Sequence, residues 1–136
     1  MKTKKNYLAI LFFGLLLLLS PVPQANAQKA RVTVEEMPEY PGGTTAMQEF
    51  IKENLKYPID AQEKKIEGRV VVRFIVGEEG DLREPAITTG ISPSCDAEVI
   101  RIIRAMPKWK PGKEKGKNVA VYFNLPIQFK LPKAKK

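Results

Sequence analysis

Apolar and polar positions alternate along this chain with two distinct periods. Met47, Phe50, Ile51 and Leu55 fall at i, i+3, i+4 and i+8, the stripe of one helix. Thr44 or Thr45 is placed to cap it, and Thr45 with Gln48 has the spacing of a capping box. Tyr57-Pro58 stops this helix, and Pro58 suits the first turn of a second short one, Pro58 to Lys65. From Gly68 to Val76 the period drops to two. Val70, Val72, Phe74 and Val76 point one way, while Arg69, Val71, Arg73 and Ile75 point the other. Glu78-Glu79-Gly80-Asp81 makes a hairpin turn, and Leu82 to Thr89 returns as a weaker strand that Pro85 places at an edge or a bulge. Cys95, Val99, Ile102, Ile103 and Met106 restore the helical stripe. Ser92 or Ser94 can cap that helix, and Asp96 and Glu98 lie in its first turn, where the helix dipole favours acids. Lys108 to Lys117 reads as a basic, turn-rich loop. Val119 to Leu131 then alternates over its whole length, a long strand in which Pro126 marks an edge or a bulge.

The order helix, short helix, strand, strand, helix, strand predicts an α+β fold. It is a two-layer domain in which a three-stranded antiparallel sheet packs against two main helices. A hairpin followed by a helical crossover puts the first strand in the middle of the sheet. The last strand then runs parallel to the second and has an open edge. Ahead of this domain, Gln28 to Glu36 is short, polar and expected to be loosely held, with Val32 and Val34 suited to a brief edge strand. Met37-Pro38-Glu39-Tyr40-Pro41-Gly42-Gly43 reads as a rigid turn.

The start of the chain obeys different rules. Lys2, Lys4 and Lys5 precede an apolar run of about 12 residues, Leu8 to Leu19, followed by Ser20, Pro21, Pro23 and the small-x-small site Ala25-Asn26-Ala27. This is the layout of a cleavable export signal, which places the working protein in the periplasm. The rival is an uncleaved inner-membrane tether, although a spanning helix needs roughly 20 apolar residues. The expected layout is a signal peptide at 1–27, a short segment at 28–36, a domain at 37–131 and a basic tail at 132–136.

Composition narrows the chemistry. The net charge is +8, and the signal holds three of the lysines, so the exported part keeps a moderate basic excess. That suits acidic partners or an anionic envelope surface and is too small to argue for nucleic acid. The chain contains no histidine and one cysteine, Cys95. Histidine-based acid–base catalysis and internal disulfides are therefore excluded. No nucleophile–base pair, phosphate loop or metal cluster stands out, so neither an enzyme nor a cofactor is expected. Cys95 opens the apolar stripe of its helix and is expected to be buried packing. Asp96 and Glu98, two apart on a helix, do not face each other. Trp109 is expected to cover the core edge, and the lysines at 108, 110, 113, 115 and 117 to form a solvated loop.

Taken in order, several segments resemble the C-terminal domain of TonB, the energy transducer of the bacterial envelope. They are Met37 to Gly43, Asn54-Leu55-Lys56-Tyr57-Pro58 with Ala61, and Ile66 to Val72. Met106-Pro107-Lys108-Trp109-Lys110-Pro111-Gly112 and Leu125-Pro126-Ile127-Gln128-Phe129 complete the set. The motif positions Pro41, Gly42, Gly43, Tyr57, Pro58, Gly68, Pro107, Trp109, Pro111 and Gly112 read as structural. The resemblance implies binding of a short segment, the TonB box, of outer-membrane receptors, added as a strand beside the last strand. The residues implied are Val121, Tyr122, Phe123, Asn124, Leu125, Pro126, Ile127 and Gln128, acting mostly through their backbones. The implied setting is TonB-dependent transport of iron chelates, vitamins or glycans. The chain departs from a full transducer in lacking a convincing anchor and a long Pro/Lys/Glu-rich linker. Partnership with the inner-membrane proton-channel complex therefore follows only if the signal stays as a tether. Two other uses of the domain stay open: a stand-alone envelope interaction module, and a homodimer paired through the same edge.

Overall fold

The structure is a computed structural model that describes residues 30–133. The expected signal peptide, Gln28, Lys29 and the last three residues of the tail lie outside the described residues. The elements are α1 (Gly43–Asn54), α2 (Ile59–Glu63), β1 (Gly68–Val76), β2 (Leu82–Thr89), α3 (Pro93–Ala105), β3 (Gly112–Glu114), β4 (Lys117–Val119) and β5 (Val121–Phe129). The main sheet has the order β2-β1-β5, with both contacts antiparallel. The fold is α+β, as the periodicity predicts, with β1 central and β5 at one edge.

One face of the sheet is the core. Val70, Val72, Phe74 and Val76 of β1, with Leu125, Ile127 and Phe129 of β5, pack in one cluster with Cys95, Val99, Ile102 and Ile103 of α3 and Met47 of α1. Cys95 is fully buried, in keeping with its place on the apolar stripe. Trp109 belongs inside the cluster rather than over its edge, at 3% exposure. Its ring meets Tyr40, Phe74 and Phe123 edge-on, with centroids 5.9, 5.3 and 4.9 Å away. Edge-to-face contact suits the quadrupoles of aromatic rings.

Four further expectations need correction. First, α1 starts at Gly43, and no side chain caps it. Gly42 stands at the N-cap position, and Gly42 at φ 88° and Gly43 at φ 87° are both left-handed, so the cap falls on a residue without a side chain and not on Thr44 or Thr45. By contrast, the Ser92 hydroxyl does cap α3, accepting from the Cys95 amide at 3.1 Å. Second, Lys108 to Lys117 is not a plain loop. Lys115 (φ 50°) and Gly116 (φ 77°) form a two-residue left-handed turn joining β3 to β4. Third, that hairpin takes Lys117–Val119, so the long final strand begins only at Val121. Fourth, residues 31–39 form no strand, yet they are held by backbone. Bridges join Arg31 to Val121, Glu36 to Lys113 and Glu39 to Lys110, and Val34 is buried while Val32 is not.

Two features generate testable expectations about stability. Gly80 has φ 85°, and a Cβ there would lie 2.0 Å from the Trp109 carbonyl oxygen. Gly116 has φ 77° with nothing within 4 Å of a built Cβ. Gly80→Ala should therefore destabilise by about 3 kcal/mol and Gly116→Ala by about 1 kcal/mol, as read by urea titration. Equal effects would remove the steric account.

The second feature ties α3 to the end of α1. Glu98 accepts from the Lys56 amide at 2.7 Å and from the Arg101 guanidinium at 2.7 and 2.8 Å, and Arg101 also donates to the Asn54 carbonyl. Burial alone pushes the Glu98 carboxyl upward, but the hydrogen bonds from Arg101 and Lys56 outweigh it and hold the group below its ordinary value of 4.5. A depressed folded-state pKa means stability that is present above the unfolded value and lost as pH falls through the folded one. Glu98→Gln should cost about 1 kcal/mol at pH 7. The difference from the parent should shrink as the pH is lowered below 4.5. A pH-independent difference would show that charge is not the cause.

Candidate partner-binding edge

The sequence-predicted site, Val121 to Gln128, falls on β5, where the register settles which backbone groups are free. β5 pairs with β1 from Val76↔Val121 to Gly68↔Phe129 without a shift. In an antiparallel ladder, alternate residues turn both N–H and C=O toward the partner and the others turn both away. Tyr122 N–H donates to the Arg31 carbonyl at 2.8 Å, and Arg31 N–H donates to the Ala120 carbonyl at 2.9 Å. Even-numbered residues therefore face outward. Val121, Phe123, Leu125 and Ile127 spend their backbone groups on β1, and only Tyr122, Asn124, Pro126 and Gln128 present theirs to the edge.

This phase explains Pro126. Its missing N–H falls on the outer edge, opposite Val71 in a pair that exchanges no hydrogen bonds, so the ladder with β1 stays whole without a bulge. The expected free edge is also shorter than the strand. Arg31 occupies its first positions, and among the described residues the groups beyond are open: the Tyr122, Asn124, Pro126 and Gln128 carbonyls and the Asn124 and Gln128 amides. Asn124, Pro126 and Gln128 are exposed. Tyr122 is half-buried under the Arg73 guanidinium, which stacks 3.8 Å from its ring centroid.

The motif residues occupy structural positions. Pro41 and Gly42 form the turn into α1. Tyr57 donates to the Ile66 carbonyl and packs edge-on against Phe129. Pro58 caps α2 and Gly68 opens β1 at φ 148°. Pro107 and Pro111 flank Trp109 in the segment between α3 and β3. A Cβ on Gly112 would lie 2.7 Å from Val121 Cγ2 and 3.1 Å from the Glu36 carbonyl, so the close approach requires glycine.

Two apolar recesses border β5 on the helix side. One, of about 180 Å³, is lined by residues including Pro38, Tyr40, Met47, Trp109 and Phe123. The other, of about 360 Å³, is lined by Ile51, Leu55, Pro126 and Ile127, with Gln48, Lys52 and Gln128 at its polar parts. Sequence reasoning placed Ile51 and Leu55 on the buried stripe of α1 and missed them as walls beside the edge. It also missed Arg31, for which no local signal exists. Among the described residues no group of three or more acidic or cysteine side chains is gathered as for a metal ion, and no helix is long and apolar enough to cross a membrane.

No curated protein sequence matches the chain. Among solved structures, two solution structures of the Helicobacter pylori TonB C-terminal domain are similar to it. The one of shorter span has 21% identity, covers 66% of this chain and 95% of that one, and has a TM-score of 0.47. The longer has 18% identity, covers 85% and 100%, and also has a TM-score of 0.47. Residues 53–131, more than half of the chain, match the model of the Gram-negative bacterial TonB protein C-terminal family, and the chain belongs to that family.

Proposed function

We propose that this protein is a non-enzymatic binding domain of the cell envelope that recognises TonB-box segments of outer-membrane receptors by strand addition. The observation that carries this reading is the straight outer edge of β5, open from the Tyr122 carbonyl to Gln128, in a chain of the TonB C-terminal family. An added strand is held mostly by main-chain hydrogen bonds, so it tolerates varied side chains. Its role would be in TonB-dependent uptake of iron chelates, vitamins or glycans from the periplasmic side.

Register makes the edge testable. Asn124 N–H faces outward, so Asn124→Pro should leave the sheet intact and weaken receptor-peptide binding about 3- to 10-fold, the worth of one hydrogen bond. Phe123 N–H faces β1, so Phe123→Pro should instead unfold the domain. Calorimetric titration with receptor N-terminal peptides, run beside thermal melts, distinguishes the two. Unchanged peptide affinity in a folded Asn124→Pro protein would remove β5 as the binding edge.

Whether the domain is free or tethered depends on the first 27 residues. We propose cleavage after Ala27, leaving a free periplasmic module. The mass of the protein recovered from cells should correspond to a chain starting at Gln28. A chain retaining Met1 would instead favour a tethered short transducer coupled to the inner-membrane proton-channel complex.

A further inference from the structure

We infer that the β5 edge selects partners by side chain as well as by backbone: it takes an extended segment with apolar residues at positions i and i+4 and an acidic residue beside the second. This rests on the strand-addition reading above and adds the identity of the segment.

The recess at Phe123 and the recess at Ile127 lie along the same strand, between β5 and α1. Phe123 and Ile127 both turn their side chains to the helix side of the sheet, where each packs with the core. Residues of a neighbouring strand that lie beside them turn to that same side. Four residues of strand span about 13 Å. An added segment running parallel to β5 therefore brings its residue i to the first recess and residue i+4 to the second. The residues between them at i+1 and i+3 turn to the opposite face, beside Asn124 and Pro126, and stay wet. Arg31 closes the row at Tyr122, so the segment cannot slide past Phe123. Pro126 offers no donor, so slippage along the edge loses the pairing at Asn124 and Gln128.

Charge completes the description. Lys130 is exposed just beyond Gln128. A carboxylate at i+5 lies beside Gln128 on the face away from the helices, where it would meet Lys130 without displacing an existing partner among the described residues.

The test uses the isotope-labelled chain as purified from the envelope of cells that express it. The probe is a synthetic peptide, acetyl-Leu-Thr-Thr-Thr-Leu-Asp-Thr-amide, with three variants: the first leucine replaced by serine, the second replaced by serine, and the two leucines moved to i and i+2. Binding is followed by amide chemical shifts. The parent peptide should move the Asn124 and Gln128 amides. Each serine should weaken binding about tenfold, and the i, i+2 peptide should bind as poorly as a serine variant. Ile51→Asn, checked for folding by its own amide spectrum, should abolish the penalty for serine at the second position and keep the penalty at the first. Because the peptide series needs no protein variant, a misfolded Ile51→Asn leaves the comparison intact. If all four peptides bind equally and still move Asn124 and Gln128, strand addition stands and the two-anchor inference is overturned. If no peptide moves these amides while receptor peptides do, the anchors again fail alone. If neither set moves them, the edge reading falls as well.

Discussion

The unbroken pairing of β5 with β1 constrains everything else on the last strand. Because the ladder runs from Val121 to Phe129 without a bulge, each residue's backbone direction is fixed by its parity. The same parity fixes side-chain direction, so outward backbone groups coincide with side chains on the face away from the helices. Tyr122, Asn124, Pro126 and Gln128 are therefore freed twice, from the β1 ladder and from the core. Pro126 is tolerated for the same reason: at an odd-numbered neighbour it would delete a bond to the central strand.

The core and the open edge of β5 are built from one set of side chains. Trp109 is anchored by its amide to the Gly80 carbonyl and by its ring to Tyr40, Phe74 and Phe123. Tyr40, Trp109 and Phe123 also wall the recess beside the edge. Ile51 and Leu55, half-buried on α1, serve likewise at the other recess. The surface beside β5 is thus the unfinished margin of the core. Its shape depends on the packing of α1 against the sheet.

How much of this was legible in the sequence depends on how local each cause is. β1 and α3 could be read because their apolar residues repeat at periods two and 3.6 over full elements. The β3–β4 hairpin could not, because it buries little and is held by backbone pairing around Lys115-Gly116, a weaker turn signal than Asn-Gly. Thr45 with Gln48 showed a valid capping spacing, but the N-cap position falls on Gly42, three residues earlier. Parity on β5 was visible from its alternation, and Pro126 pointed to an edge. Which parity faces outward was not visible, since that requires knowing where β1 and Arg31 sit. Arg31 itself meets β5 only through the fold, so no pattern around it predicts the contact. The resemblance to the TonB family pointed to the last strand as the candidate edge but not to its division into inward and outward residues.

The two edges of the sheet are not equivalent, and the difference bears on β5 as the proposed partner edge. β2 carries Pro85, the left-handed Glu84 at φ 50° and two register irregularities against β1. Such an edge twists and loses donors, which discourages pairing with another chain. β5 is straight, and its protections are only Arg31 at its start and Pro126 near its middle. A fully regular edge would pair with any extended segment, including β5 of a second copy. Removing one donor at Pro126 lowers that general attraction, because backbone pairing is the only term every segment shares. Apolar recesses beside the same strand would, on the proposed reading, restore affinity only for a segment that brings side chains to fill them. A single short edge, weakened in its backbone and supplemented by side-chain sites, trades strength for choice.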